Sequence, residues 1–230
     1  MVSLANLSYL EESLQEIGKF LANKGYIVAG DGNISARTPD ASHIKITRSG
    51  VNKGQLNSDT DFIHIDIDGK IPKIYAEYYE RYDVKPSSEL ALHLEVYRTC
   101  PNAQFVAHAH PINAIVWSLS GLPELPTHIL PEVILACGKI PIAPYARPGT
   151  PEMADAIRPF LPECRIIILE RHGALVWGET SEEVMWGMDR LEQICTILYM
   201  VRQAGFATPL PASEIEALKE MRKKLGPKIL

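Results

Sequence analysis

Gln104-Phe105-Val106-Ala107-His108-Ala109-His110-Pro111 is an apolar run that ends in two histidines and a proline. In a strand, residues i and i+2 point to the same side. The run therefore predicts a strand that projects His108 and His110 together. Two imidazoles converging at a strand end are the start of a metal site. One core histidine beside one surface histidine is the other reading of the same spacing. The rest of the chain decides between them, by whether it supplies a third ligand, a carboxylate and an anion pocket.

On either side of this run the pattern alternates between helix and strand. Residues 7–25 carry Leu10, Leu14, Ile17, Phe20 and Leu21 at helical spacing and stop at Gly25. Residues 30–37 begin as a turn, Gly30-Asp31-Gly32-Asn33, and pass into a strand. Short strands are predicted at 43–47 and 62–67, the second closing on an Asp68-Gly69 turn. The tyrosine-rich stretch 74–84 reads as a surface loop. Pro86-Ser87-Ser88-Glu89 opens a helix with Leu90, Leu94 and Tyr97 facing inward. After the histidine strand come a helix at 112–120, a strand across 135–143 interrupted by Gly138, and a helix at 152–160. Residues 165–169 and 174–177 are strands around Glu170-Arg171-His172-Gly173. A long helix follows at 181–204 with Ser181 as its cap, and a last helix at 213–225. Elements alternate without a composition break across residues 1–230, so one α/β domain with a mostly buried sheet is expected.

Composition excludes several classes. The chain has 230 residues, 46% hydrophobic and 22% charged, which is enough for a packed core. A net charge of −5 with no long basic stretch argues against nucleic acid as a partner. No run of about 18 apolar residues is available to span a membrane. Glu11, Glu12 and Glu16 near the N-terminus are unlike a signal peptide. Cys100, Cys137, Cys164 and Cys195 lie far apart and read as buried, reduced thiols of a cytoplasmic protein.

His172 is the third candidate ligand, at a strand end before a glycine that permits close approach. His108, His110 and His172 would leave an open position on the ion, as a catalytic metal needs. Three imidazoles suit zinc and leave manganese, cobalt and iron open. Glu89, after two serines at a helix start, is the candidate carboxylate. Ser87 and Ser88 there, with the turns Gly32-Asn33 and Ser49-Gly50, can offer N–H and hydroxyl groups to an anion. His93, one turn after Glu89, reads as structural.

In chain order the motifs Gly32-Asn33-Ile34-Ser35-Ala36-Arg37, Ile46-Thr47-Arg48-Ser49-Gly50, Pro86-Ser87-Ser88-Glu89, His108-Ala109-His110-Pro111, Ala143-Pro144-Tyr145 through Gly149-Thr150, and Arg171-His172-Gly173 resemble the metal-dependent class II aldolase/adducin family. That family is typified by L-fuculose-1-phosphate aldolase and L-ribulose-5-phosphate 4-epimerase. The resemblance implies a three-layer αβα fold with a central, largely antiparallel sheet. It implies one Zn2+ per subunit on His108, His110 and His172, with Glu89 as ligand in the empty site and as acid/base in catalysis. It implies Gly32, Asn33, Ser49, Gly50, Ser87 and Ser88 around the phosphate of a small phosphorylated sugar, and a homotetramer with sites between subunits.

The activity so implied is reversible cleavage of a ketose 1-phosphate to dihydroxyacetone phosphate and an aldehyde, through a zinc-stabilised enediolate. Glu132, or Tyr145 from a neighbouring subunit, would serve the second oxygen. A 4-epimerase, a methylthioribulose-1-phosphate-type dehydratase and a non-enzymatic adducin-like module are the alternatives within the same resemblance. No lysine stands in these motifs, which argues against a Schiff-base aldolase.

Overall fold

The computed structural model describes residues 4–56, 59–205 and 208–230. Seven strands form one sheet: β1 (Asn33–Arg37), β2 (Ile44–Thr47), β3 (Phe62–Ile65), β4 (Phe105–Ala109), β5 (Ile142–Ala143), β6 (Ile166–Leu169) and β7 (Gly173–Gly178). Their order across the sheet is β3-β2-β1-β4-β7-β6-β5. Every pairing is antiparallel except β5 with β6. The histidine strand β4 is therefore central, flanked by β1 and β7.

Period-2 alternation sends side chains into two cores. Phe105, Ala107 and Ala109 of β4, with Ile34, Ala36, Ala174 and Val176, face one side. That side is covered by α1 (Leu4–Asn23), α4 (Ile112–Ser118), α5 (Pro131–Ala136) and α7 (Ser181–Ala204). Val106, Leu175 and Trp177 face the other side. There they meet α2 (Lys73–Arg81), α3 (Leu90–Thr99) and α6 (Glu152–Ile157). His108 shares the parity of Val106, so it points to the α3 side. A last helix, α8 (Ala212–Leu225), packs on α5. This is the expected αβα arrangement with a largely antiparallel sheet. No helix of the described residues is long and apolar enough to cross a membrane. The four cysteines are free and buried.

Three local expectations are corrected. Residues 73–81 are helical rather than looped. Tyr75 and Tyr79 lie one turn apart; Tyr75 stacks on His64 at 4.5 Å, and the Tyr79 hydroxyl accepts the His64 N–H at 3.0 Å. Tyr75 and Tyr79 thus face the sheet edge, while Tyr78 and Tyr82 are exposed. The stretch 135–143 is a strand only at Ile142–Ala143. Pro131 starts a helix at its first position, where a fixed φ and a missing N–H cost nothing. Gly138 follows it at φ 69°. The cap of α7 is Thr180, whose hydroxyl accepts the Glu183 N–H at 3.3 Å; Ser181 is the first helical residue.

Candidate metal centre

β4 delivers His108 from its body and His110 from just past its end, their ring centroids 4.8 Å apart. The tight β6–β7 turn supplies His172. Arg171 there takes φ 61°, and its N–H is held by the Ser118 hydroxyl at 2.9 Å. Gly173 is required by proximity: a Cβ there would stand 2.4 Å from the Ala109 carbonyl and 2.6 Å from Cδ2 of His110. Gly32 is required twice over. It sits at φ 71°, and a Cβ would meet the His108 carbonyl at 2.7 Å.

One nitrogen from each of the three imidazoles falls within 4.8 Å of the others. Nδ1 of His108 lies 3.0 Å from the Ala174 carbonyl, so it donates there and leaves Nε2 as the lone pair facing inward. Nε2 of His110 lies 3.0 Å from that same atom. Desolvation, then repulsion from the neighbouring histidines, holds the His108 and His110 imidazolium forms below their usual range. Neutral rings are what a metal ion requires. Nδ1 of His172 is buried with no hydrogen-bond partner. Imidazole nitrogens and carboxylate oxygens packed this closely are costly with no cation between them, and a divalent cation relieves the crowding. The donor set fits such an ion.

Glu89 closes the cluster. It is 8% exposed, and its Oε2 lies 3.2 Å from His108 Nε2 while Oε1 lies 3.2 Å from His172 Nε2. The structure thus brings together four residues from three distant segments. Asp31 reaches His110 Nδ1 at 3.9 Å from the solvent side.

The three expected anion turns also converge. Ser49 N–H donates to the Lys85 carbonyl at 2.9 Å, and Arg48 bridges Pro86, which sets Ser49-Gly50 beside Ser87-Ser88. Gly149 abuts Ser88, and Gly30 abuts Gly50. Asn33 has a further part in the site. Its amide nitrogen donates to Glu89 Oε2 at 2.8 Å and its oxygen accepts from His93 at 2.5 Å, so one end of the side chain meets the carboxylate and the other meets His93.

Two site residues escaped the sequence. Lys53 is 3% exposed, and its Nζ donates to the Gly30 carbonyl. Its ammonium is destabilised first by burial, which outweighs the attraction of Asp31 and Glu89. His93 was read as structural and touches Asn33. Its spacing four residues after Glu89, on one helix face, was the available signal. Lys53 sits in a one-turn 3-10 helix with no motif around it. Glu132 and Tyr145 are not brought to the histidines within this chain. Glu132 is exposed in the first turn of α5. Tyr145 is 57% exposed, and its bond to Glu170 comes from its backbone N–H.

The αβα chain thus brings three histidines and a carboxylate together beside the end of its central strand, a group that could hold a metal ion. The family described as Class II Aldolase and Adducin N-terminal domain matches residues 12–199, and the chain belongs to it. It is similar to the 3-oxo-tetronate 4-phosphate decarboxylase of Cupriavidus necator, at 28% identity over 93% of this chain and 95% of that one. It is similar to the L-fuculose phosphate aldolase of Methanococcus vannielii, at 32% identity over 81% and 93% of the two chains. A solved structure titled L-fuculose 1-phosphate aldolase superposes with a TM-score of 0.80 at 25% identity, covering 97% of this chain and 98% of that one.

Proposed function

We propose that the protein is a zinc-dependent carbon–carbon lyase acting beside the carbonyl of a small phosphorylated sugar derivative, with a 3-oxo sugar acid phosphate as its first substrate class. One observation carries this reading. Among the described residues, Glu89 alone joins the histidine cluster with both of its carboxylate oxygens. Among the described residues the site thus has one buried carboxylate, Glu89, with the exposed Asp31 only at its solvent side.

A divalent cation on His108, His110 and His172 supplies Lewis acidity to the substrate carbonyl when bound. The chain's own residues do the rest. The turns Ser49-Gly50 and Ser87-Ser88 hold the phosphate and fix the reacting carbon near Glu89. Lys53 adds charge-assisted donors from beneath. In decarboxylation of a 3-oxo-tetronate 4-phosphate, the C1–C2 bond breaks and its electron pair stays on C2. Carbon dioxide leaves, and Glu89 delivers one proton to C2 and recovers it from water. The product is dihydroxyacetone phosphate. A departing carboxylate needs no proton removed, so one acid/base suffices.

Aldol cleavage of a ketose 1-phosphate, the activity expected first, is the second reading. It leaves the same dihydroxyacetone phosphate and uses Glu89 in the same way. It also needs a base for the C4 hydroxyl, which Tyr145 of a neighbouring copy would supply in the expected homotetramer. The exposure of Tyr145 supports that reading.

The deciding experiment incubates zinc-loaded protein with 3-oxo-tetronate 4-phosphate and with a panel of ketose 1-phosphates, and measures dihydroxyacetone phosphate release. Release from the oxo acid is expected. Release from a ketose 1-phosphate alone would shift the reading to the aldolase, and release from neither would overturn both. Lys53→Met is expected to raise KM for the phosphorylated substrate about 10–100-fold, with kcat changed less. A lost hydrogen bond to a charged group is worth about 1.5–3 kcal/mol. Unchanged steady-state KM would remove Lys53 from the site.

A further inference from the structure

A buried chain of hydrogen bonds runs from α3 to the carboxylate. Tyr97 Oη lies 2.9 Å from Ser35 Oγ, and Ser35 Oγ lies 2.6 Å from His93 Nδ1. His93 Nε2 lies 2.5 Å from Asn33 Oδ1, and Asn33 Nδ2 lies 2.8 Å from Glu89 Oε2. Ser35, His93, Asn33 and Tyr97 are all buried. Asn33 and Ser35 alternate along β1, so both point at α3, where Glu89, His93 and Tyr97 lie one turn apart. Register does the remaining work, since Asn33 pairs with His108 across β1 and β4.

The polarity of the chain is set by counting donors. Asn33 presents its NH2 to Glu89 Oε2 and therefore its carbonyl, which can only accept, to His93. His93 must then donate from Nε2 and accept at Nδ1. Ser35 donates to that nitrogen and accepts from Tyr97. The four contacts of this chain are satisfied one way round, with the single Tyr97 proton going to Ser35 at 2.9 Å rather than to the Gln104 carbonyl at 3.5 Å. A neutral imidazole is needed, because it offers one donor and one acceptor. Burial keeps His93 neutral, its pKa pushed down to about 3.

We infer that His93 is a positioning residue of this site: its Nε2–H locks the Asn33 amide, and the locked amide holds Glu89 Oε2 in place beside the histidine cluster. The inference rests on Glu89 acting as acid/base. Without His93 the buried Asn33 amide is free to turn its carbonyl toward the carboxylate, which repels it.

Two measurements test this. Nitrogen-15 spectra of imidazole-labelled protein are expected to show His93 as the Nε2–H tautomer at neutral pH, with a slowly exchanging proton. An Nδ1–H tautomer would overturn the inference. In steady state, His93→Leu is expected to lower kcat about 10–100-fold, the usual cost of losing such an outer partner, with KM within about twofold and zinc content unchanged. His93→Gln, which can donate to Asn33 and accept from Ser35, is expected to recover most of kcat. Should His93→Leu fail to fold, Ser35→Ala serves: it removes the donor to Nδ1, and a mixed tautomer with a several-fold lower kcat is expected. Full kcat in a folded His93→Leu or Ser35→Ala protein, with Glu89→Gln inactive, would overturn this inference alone. Full turnover in Glu89→Gln would instead overturn the acid/base reading beneath it.

Discussion

Replacing His110 with alanine is expected to take bound zinc from about one ion per chain to almost none, and to lower turnover by at least about 10³-fold. The loss follows from the donor count. A catalytic site needs about three protein ligands and an open position, and His110→Ala leaves two imidazoles with Glu89. Several kcal/mol of charge stabilisation go with the ion, and each 1.36 kcal/mol is about tenfold in rate. His110 is the best of the three to remove. Its side chain is 18% exposed and lies past the end of β4, whereas His108 is fully buried between β1 and β7. Metal content after dialysis and dihydroxyacetone phosphate release, measured on one preparation, check the prediction. Retained zinc and retained turnover would sink the metal reading. Chelation of the wild type is expected to reproduce the loss, and added zinc to reverse it.

The parts of this site that were readable from sequence are those set by local geometry. His108 and His110 share a side because a strand has period 2. His172 was visible because a strand end and Gly173 mark a place of close approach. The serines and Glu89 stand together on three consecutive positions, after Pro86. The parts that were hidden depend on pairing between distant segments. Asn33 looks like a turn residue until β1 is laid beside β4, when it faces α3 and bonds Glu89. Lys53 reaches Gly30 only because the 52–55 turn packs under α1: a Cβ on Gly18 would collide with the Lys53 carbonyl at 2.0 Å. Short apolar runs such as 133–136 fit helix or strand equally, which is why the stretch from 135 reads as strand where α5 in fact ends at Ala136. The tyrosines of α2 carried the helical spacing, but their polar composition masked it.

The same geometry explains why one fold accommodates relatives named for different reactions. Loss of carbon dioxide and loss of an aldehyde both leave a carbanion next to a carbonyl, at the carbon that becomes C3 of dihydroxyacetone phosphate. On the reading proposed above, the histidines, Glu89 and the anion turns serve that shared half. On that reading only the residues around the departing fragment need differ, and the exposed Tyr145 is the candidate among them.

Glu89→Gln is therefore expected to act on the shared half whatever fragment leaves. Gln is close to isosteric, and its carbonyl can still accept from Asn33, so zinc and phosphate binding should persist. What is lost is the proton at the reacting carbon, worth about 10²–10⁴-fold. Dihydroxyacetone phosphate alone provides the measurement, in deuterated water and without any second substrate. The wild type is expected to exchange one C3 hydrogen for deuterium, because the reverse half-reaction begins by removing it. Glu89→Gln is expected to bind the compound and leave that hydrogen in place. Exchange in Glu89→Gln at the wild-type rate would show that another group moves the proton, with Asp31 beside His110 next to be replaced. Exchange lost together with zinc would mean that the carboxylate is needed to hold the ion, and the acid/base role would have to be reassigned.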